Sequence, residues 1–137
     1  MTRREVRGEH HTRRRVRART AKFDWEDRKI VSARNNGLCQ ICGINHGSEG
    51  HHLLPISVGT REFQSKYPGN INDLLSYIAN CLWVCSDCGD KVHDPGHYIV
   101  DYNQIFVALC MAIEQEIDKI NVEVKITSDA RIIIRVD

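Results

Sequence analysis

Four cysteines stand in two C-x-x-C pairs, Cys39-Gln40-Ile41-Cys42 and Cys85-Ser86-Asp87-Cys88. A tight turn can present both thiolates of such a pair to one ion. Two pairs together supply the ligand set of a closed tetrahedral zinc site. The pairs bracket a long stretch of chain, so zinc held by all four would tie its two ends and add folding free energy. A redox dithiol would need one pair only. The six cysteines could also form disulfides, but this doubled spacing is that of metal ligands. Cys81 and Cys110 fit neither knuckle and read as ordinary buried thiols, Cys110 on the apolar face of a long helix.

Between and just beyond the knuckles lie His51, His52, Asn80 and His93. His51 and His52 are adjacent, so in an extended segment they point to opposite sides. One can reach a metal while the other faces a water on the substrate. On a helix that starts at the second knuckle, His93 can point back toward the strand carrying His51. His10, His11, His46 and His97 have no partner pattern and receive no role.

The elements that must position these residues are short. Asp24 can cap a helix running to about Arg34, with Trp25, Ile30 and Val31 as its apolar contacts, and Asn35-Asn36-Gly37 stops it. Leu38–Gly43 is the first knuckle and Ile44–Gly50 a turn. His51–Val58 reads as a short strand, limited by Pro55 to an edge or irregular end. Gly59–Gly69 reads as a polar loop, and Asn72 as the cap of a helix through Ala79 with Leu74, Leu75 and Ile78 inward. Leu82-Trp83-Val84 feeds the second knuckle as a strand, and Cys88–His93 begins a helix that Asp94-Pro95-Gly96 ends. From Tyr102 to Ile120 the residues Ile105, Leu109, Ile113, Ile117 and Ile120 fall at helical spacing. Val122, Val124 and Ile126, then Ile132, Ile134 and Val136, alternate about a turn at 127–130, the pattern of a β-hairpin.

The chain has 137 residues, 42% hydrophobic and 27% charged, the balance of one globular domain. No apolar run is long enough to span a bilayer and no signal peptide is apparent, so an intracellular, cytoplasmic protein with no membrane partner is expected. Net charge is only +1, but residues 1–20 hold eight arginines against Glu5 and Glu9. Such an arm, with Arg13, Arg14, Arg15 and Arg17, suits phosphate contact, because each neutralised phosphate releases counterions. Arg61 and Lys66 in the polar loop are further candidates. The same composition also describes a solvated tail that contacts nothing specific.

Taken together, Cys39-x-x-Cys42, His51-His52-x-x-Pro55, Asn80, Cys85-x-x-Cys88 and His93 resemble an HNH endonuclease of the zinc-knuckle, ββα-metal type over about residues 30–93. The resemblance implies an α+β fold with a small ββα-metal (His-Me finger) core and a structural zinc knuckle, to which the spacing read above adds a C-terminal helix and hairpin. The nuclease core would occupy 21–100; the residues on either side read as a flexible arm at 1–20, which carries no apolar period, and an extension at 101–137, which has no counterpart in the family core and packs on the core or forms an interface. The resemblance implies hydrolysis of DNA phosphodiester bonds, RNA not being excluded. In that reading His52 is the general base that activates water. His51 and His93 hold one divalent metal such as Mg²⁺, Mn²⁺ or Ni²⁺, and Asn80 fixes the loop that positions His52. The family usually places His or Asn directly after the last knuckle cysteine, and here that residue is Gly89. The stretch from His52 to Asn80 is also long for the family.

Two other functions suit the same residues. One is a zinc-stabilised nucleic-acid-binding module that no longer cleaves, for which Gly89 is the best support. The other is a subunit of a larger nuclease or defence complex, or a homodimer, joined through residues 102–136. Deleting residues 2–19 should weaken DNA binding evenly across sequences and flatten its salt dependence, measured by titration at several ionic strengths.

Overall fold

Residues 24–37 show how the chain starts and stops an element locally. The Asp24 carboxylate accepts the Asp27 N–H at 2.7 Å and caps helix α1, Trp25–Ser32. The helix then breaks because Asn35 and Asn36 adopt left-handed φ values of 50° and 57°, which asparagine tolerates better than most residues. Val31 is buried on α1, but Trp25 is not one of its core contacts: it is 67% exposed with the Lys29 ammonium above its ring.

The computed structural model describes residues 21–92 and 96–136. It is an α+β structure with two small sheets. Strand β1, Glu49–His52, pairs antiparallel with β2, Cys81–Val84, in the register Glu49 to Val84 and His51 to Leu82. Helix α4, Ser86–Val92, follows β2 at once. Between β1 and β2 lie helix α2, Ile56–Val58, and helix α3, Ile71–Leu75. After α4 come β3, Tyr98–Val100, helix α5, Tyr102–Glu114, and strands β4, Val122–Ile126, and β5, Ile132–Val136. The second sheet has the order β3-β5-β4, with β3 parallel and β4 antiparallel to β5. No helix among the described residues is long and apolar enough to cross a membrane.

Several sequence expectations change. The strand through the histidines ends at His52, because Pro55 opens a helix instead: its carbonyl accepts the Gly59 N–H at 2.8 Å, and the fixed φ of proline suits a helix start. The stretch 59–69 is not a loop throughout. Gly59–Phe63 continues the helix as a wide turn, and Phe63 is buried, stacked on Phe106 with ring centres 4.6 Å apart. The cap of α3 is Asn70 rather than Asn72, and the helix stops at Leu75 before a tight turn at Ile78–Asn80. Leu74, Leu75 and Ile78 do point inward.

Helix α5 ends at Glu114, six residues before the apolar spacing runs out, where Glu116 takes a left-handed φ of 56°. Ile105 and Leu109 are fully buried on it, while Ile117 beyond its end is 43% exposed. Strand β3 has no sequence counterpart among those expectations; three residues carry no readable alternation. Its partner β5 lies more than thirty residues downstream.

Two side chains stitch the C-terminal segment to the sheet that carries the histidines. The Tyr77 hydroxyl donates to the Ile117 carbonyl at 2.9 Å. The Arg34 guanidinium donates to the Cys81 carbonyl at 3.0 Å and the Asp118 carbonyl at 2.7 Å. Hydrogen bonds from a charged donor contribute about 1.5–3 kcal/mol each. Because Arg34 is only half-buried, the two bonds together fall short of twice that figure, and Arg34→Ala should lower stability by about 2–4 kcal/mol, read as a fall in the urea midpoint with the slope unchanged.

Candidate functional site

The sulfurs of Cys39, Cys42, Cys85 and Cys88 lie within 4.8 Å of one another, a group able to hold a metal such as zinc. A tetrahedron with Zn–S of ~2.3 Å separates its sulfurs by ~3.8 Å, so little adjustment closes it. The local folding explains the clustering. Gly43, at a φ of 67°, lets the first knuckle turn back on itself, and its N–H donates to the Cys39 carbonyl at 2.9 Å. Gln40 then docks that knuckle on β2: its N–H donates to the Trp83 carbonyl and its side-chain oxygen accepts the Trp83 N–H, both at 2.7 Å. Since β2 runs straight into Cys85, this docking delivers one cysteine pair to the other.

The sulfurs also receive the donors that thiolates require. Cys39 Sγ accepts from the Ile41 and Cys42 amides at 3.4 and 3.5 Å. Cys42 Sγ accepts from Ile44, and Cys85 Sγ from Cys88, at 3.5 Å. The Asn45 side-chain amide reaches Cys85 Sγ at 3.7 Å. Burial opposes ionisation of Cys42, but the backbone amides of Asn45 and Ile44 and its neighbouring thiols outweigh it and bring the thiol down to about 7. Burial, with the hydrogen bond and like charge of its neighbours, pushes Cys88 well up. A cation at the centre reverses that repulsion and favours four thiolates. Cys81, by contrast, is buried away from the cluster and pushed up to about 12 chiefly by burial, an inert core thiol.

Beside this cluster is a cavity of about 390 Å³ lined by Glu49, His51, His52, Pro55, Ser57 and Val92 among others. His52 stacks on Phe23 with ring centres 4.2 Å apart, and its Nε2 lies 2.6 Å from the Ala21 carbonyl. A carbonyl oxygen only accepts, so Nε2 carries the proton and Nδ1 keeps the lone pair. Burial lowers the His52 pKa, outweighing the Ala21 hydrogen bond, and so favours the neutral ring. His51 is buried on the opposite face, its ring edge-on to Tyr98 at 5.7 Å.

Asn80 is fully buried and grips the segment after the histidines from both sides. Its Oδ1 accepts the Leu54 N–H at 2.7 Å, and its Nδ2 donates to the carbonyls of Leu54 at 3.1 Å and Leu75 at 2.9 Å. The Asn80 carbonyl accepts the Leu53 N–H at 2.9 Å.

The structure thus brings His51 and His52 to one cavity, with Asn80 behind them. His93, Arg13, Arg14, Arg15 and Arg17 lie outside the described residues. Arg61 is exposed and pairs with Glu62 at 3.7 Å, and Lys66 sits over the Phe63 ring. Sequence reasoning missed Ala21, Phe23, Tyr98 and Glu49. Glu49 alone had a readable signal, its place two residues before His51, which in a strand means the same face. A larger cavity of about 580 Å³ runs along α5 past Val107 and Met111 and holds none of these residues. Compared with known proteins, the chain matches no family model, no curated protein and no solved structure.

Elemental analysis of reduced, folded protein should find one zinc per chain. Cys39→Ser should lose that metal and leave insoluble or unfolded protein, since the metal supplies folding free energy. Folded wild type without zinc would contradict the assignment.

Proposed function

We propose that the chain is a metal-dependent endonuclease that hydrolyses DNA phosphodiester bonds, with β1, β2 and α4 forming an HNH-type ββα-metal core around a structural zinc. The observation that carries this reading is the state of His52. Its Nε2–H is committed to the Ala21 carbonyl, which leaves Nδ1 as the basic nitrogen of a ring lining a cavity that Glu49, His51 and Ser57 also line. A base so fixed needs no tautomer change before it takes a proton from water.

The remaining roles follow from position. Asn80 holds both backbone groups of Leu54, and so holds the segment that leaves His52, without touching the substrate. His51, with His93 beyond the described end of α4, would ligate the divalent metal. That ion, when bound, supplies positive charge for the scissile phosphate and the departing oxygen. The Arg-rich arm, with Arg61 and Lys66, would contact the phosphate backbone without choosing sequence. A cytoplasmic setting suits a chain whose function needs its cysteines reduced.

A second reading, a nucleic-acid-binding module or complex subunit that does not cleave, draws on Gly89, which offers no side chain to a metal. Plasmid nicking by the zinc-loaded full chain separates the two. With added Mg²⁺, Mn²⁺ or Ni²⁺ the wild type should nick DNA. His52→Ala should lose ~10²–10⁴-fold in rate while zinc content and DNA affinity stay unchanged. Wild type that binds DNA but cuts with none of the three metals would leave the binding module as the function.

A further inference from the structure

The space beside the Cα of Gly89 is taken by the end of another side chain. Residue 89 sits on α4 over the β1–β2 pair formed by Glu49 and Val84, and a Cβ there would fall on Oε1 of Glu49. The carboxylate occupies the space that a side chain at 89 would otherwise fill. Strand period two puts Glu49 on the same face of β1 as His51, one pleat away. Both line the cavity that His52 lines. The Glu49 side chain is exposed, and no hydrogen bond or ion pair holds its carboxylate among the described residues.

We infer that Glu49 is a metal ligand: its carboxylate and the His51 imidazole together hold the divalent ion of this cavity, and the bare Cα of Gly89 makes the room for it. This rests on reading the cavity as a divalent-metal site. One carboxylate and one imidazole, completed by water, suit Mg²⁺ or Mn²⁺, which keep several waters and bind through few protein groups. The arrangement also explains how a chain lacking a side chain at 89 keeps an oxygen donor there. An imidazole placed there by Gly89→His would have to displace Glu49 rather than enter open space.

The test is Mn²⁺ binding to the zinc-loaded full chain, with free Mn²⁺ read by electron paramagnetic resonance and zinc content checked in each sample. Wild type should bind one Mn²⁺ per chain. Glu49→Gln should weaken that binding at least ~10-fold, the scale seen when a metal site loses a supporting group. Gly89→Ala leaves the carboxylate intact but places a methyl on its oxygen, and should weaken binding too. Zinc content should be unchanged in both. Wild-type Mn²⁺ affinity in Glu49→Gln overturns the inference, as does a wild type that binds no Mn²⁺ beside its zinc. The nuclease reading fails separately. If Mn²⁺ binds through Glu49 and DNA is not cut, the metal site stands and the enzyme does not. If Glu49→Gln binds Mn²⁺ and cuts DNA as wild type does, the enzyme stands and the ligand assignment does not.

Discussion

Everything at the histidine cavity depends on how β2 is held. One edge of this four-residue strand pairs with β1, which carries His51 and His52, and the Gln40 backbone and side chain take the other at Trp83. The strand runs at one end into Cys85 and starts at the other from Asn80, so the four-cysteine cluster and the Asn80 clamp are its two terminations. Neither the strand pair nor the short helices around it would be stable alone. A metal held by the four cysteines would cross-link residues 39 and 88 and remove the freedom that two strands of this length cannot offset by themselves.

The polar groups at the site are arranged to leave one nitrogen available. Asn80 spends its side chain on backbone groups, in a place where losing any partner would leave a buried donor or acceptor unmatched. Ala21 commits one nitrogen of His52, and Phe23 covers the ring face. These contacts come from the segment just before α1, so the start of the described chain fixes the His52 ring from the side of the strand opposite Tyr98. His51 faces that other side, toward Gly89 and Glu49. The division of the adjacent histidines between two faces is a direct result of strand geometry.

How much of this was legible in the sequence depended on whether the signal was local. The knuckles, the Asp24 cap, the Asn-Asn-Gly stop and the alternating hairpin are readable, because each is set by residues within a few positions of one another; the second-knuckle helix is readable in kind, but it starts at Ser86 rather than Cys88, and its expected stop at 94–96 lies partly outside the described residues. The strand through His51 was placed correctly but given the wrong extent, since Pro55 fits both a strand end and a helix start. The end of α5 was overrun because Ile117 and Ile120 continue helical spacing after the backbone has left the helix. Strand β3 and the contacts of Ala21, Phe23 and Tyr98 were not legible at all. They are made between distant segments, and the residues involved carry no pattern of their own. Glu49 lay in a stretch read as a turn, which hid its shared face with His51.

The central claim is that one metal ion, held by sulfur alone, closes this framework beside the histidine cavity. X-ray absorption at the zinc edge on the purified, reduced chain tests it most directly. Zinc held by the four cysteines gives four sulfur scatterers at ~2.3 Å and no nitrogen or oxygen in the first shell. A first shell that includes imidazole nitrogen would place the zinc in the histidine cavity instead, and would contradict a metal held by sulfur alone.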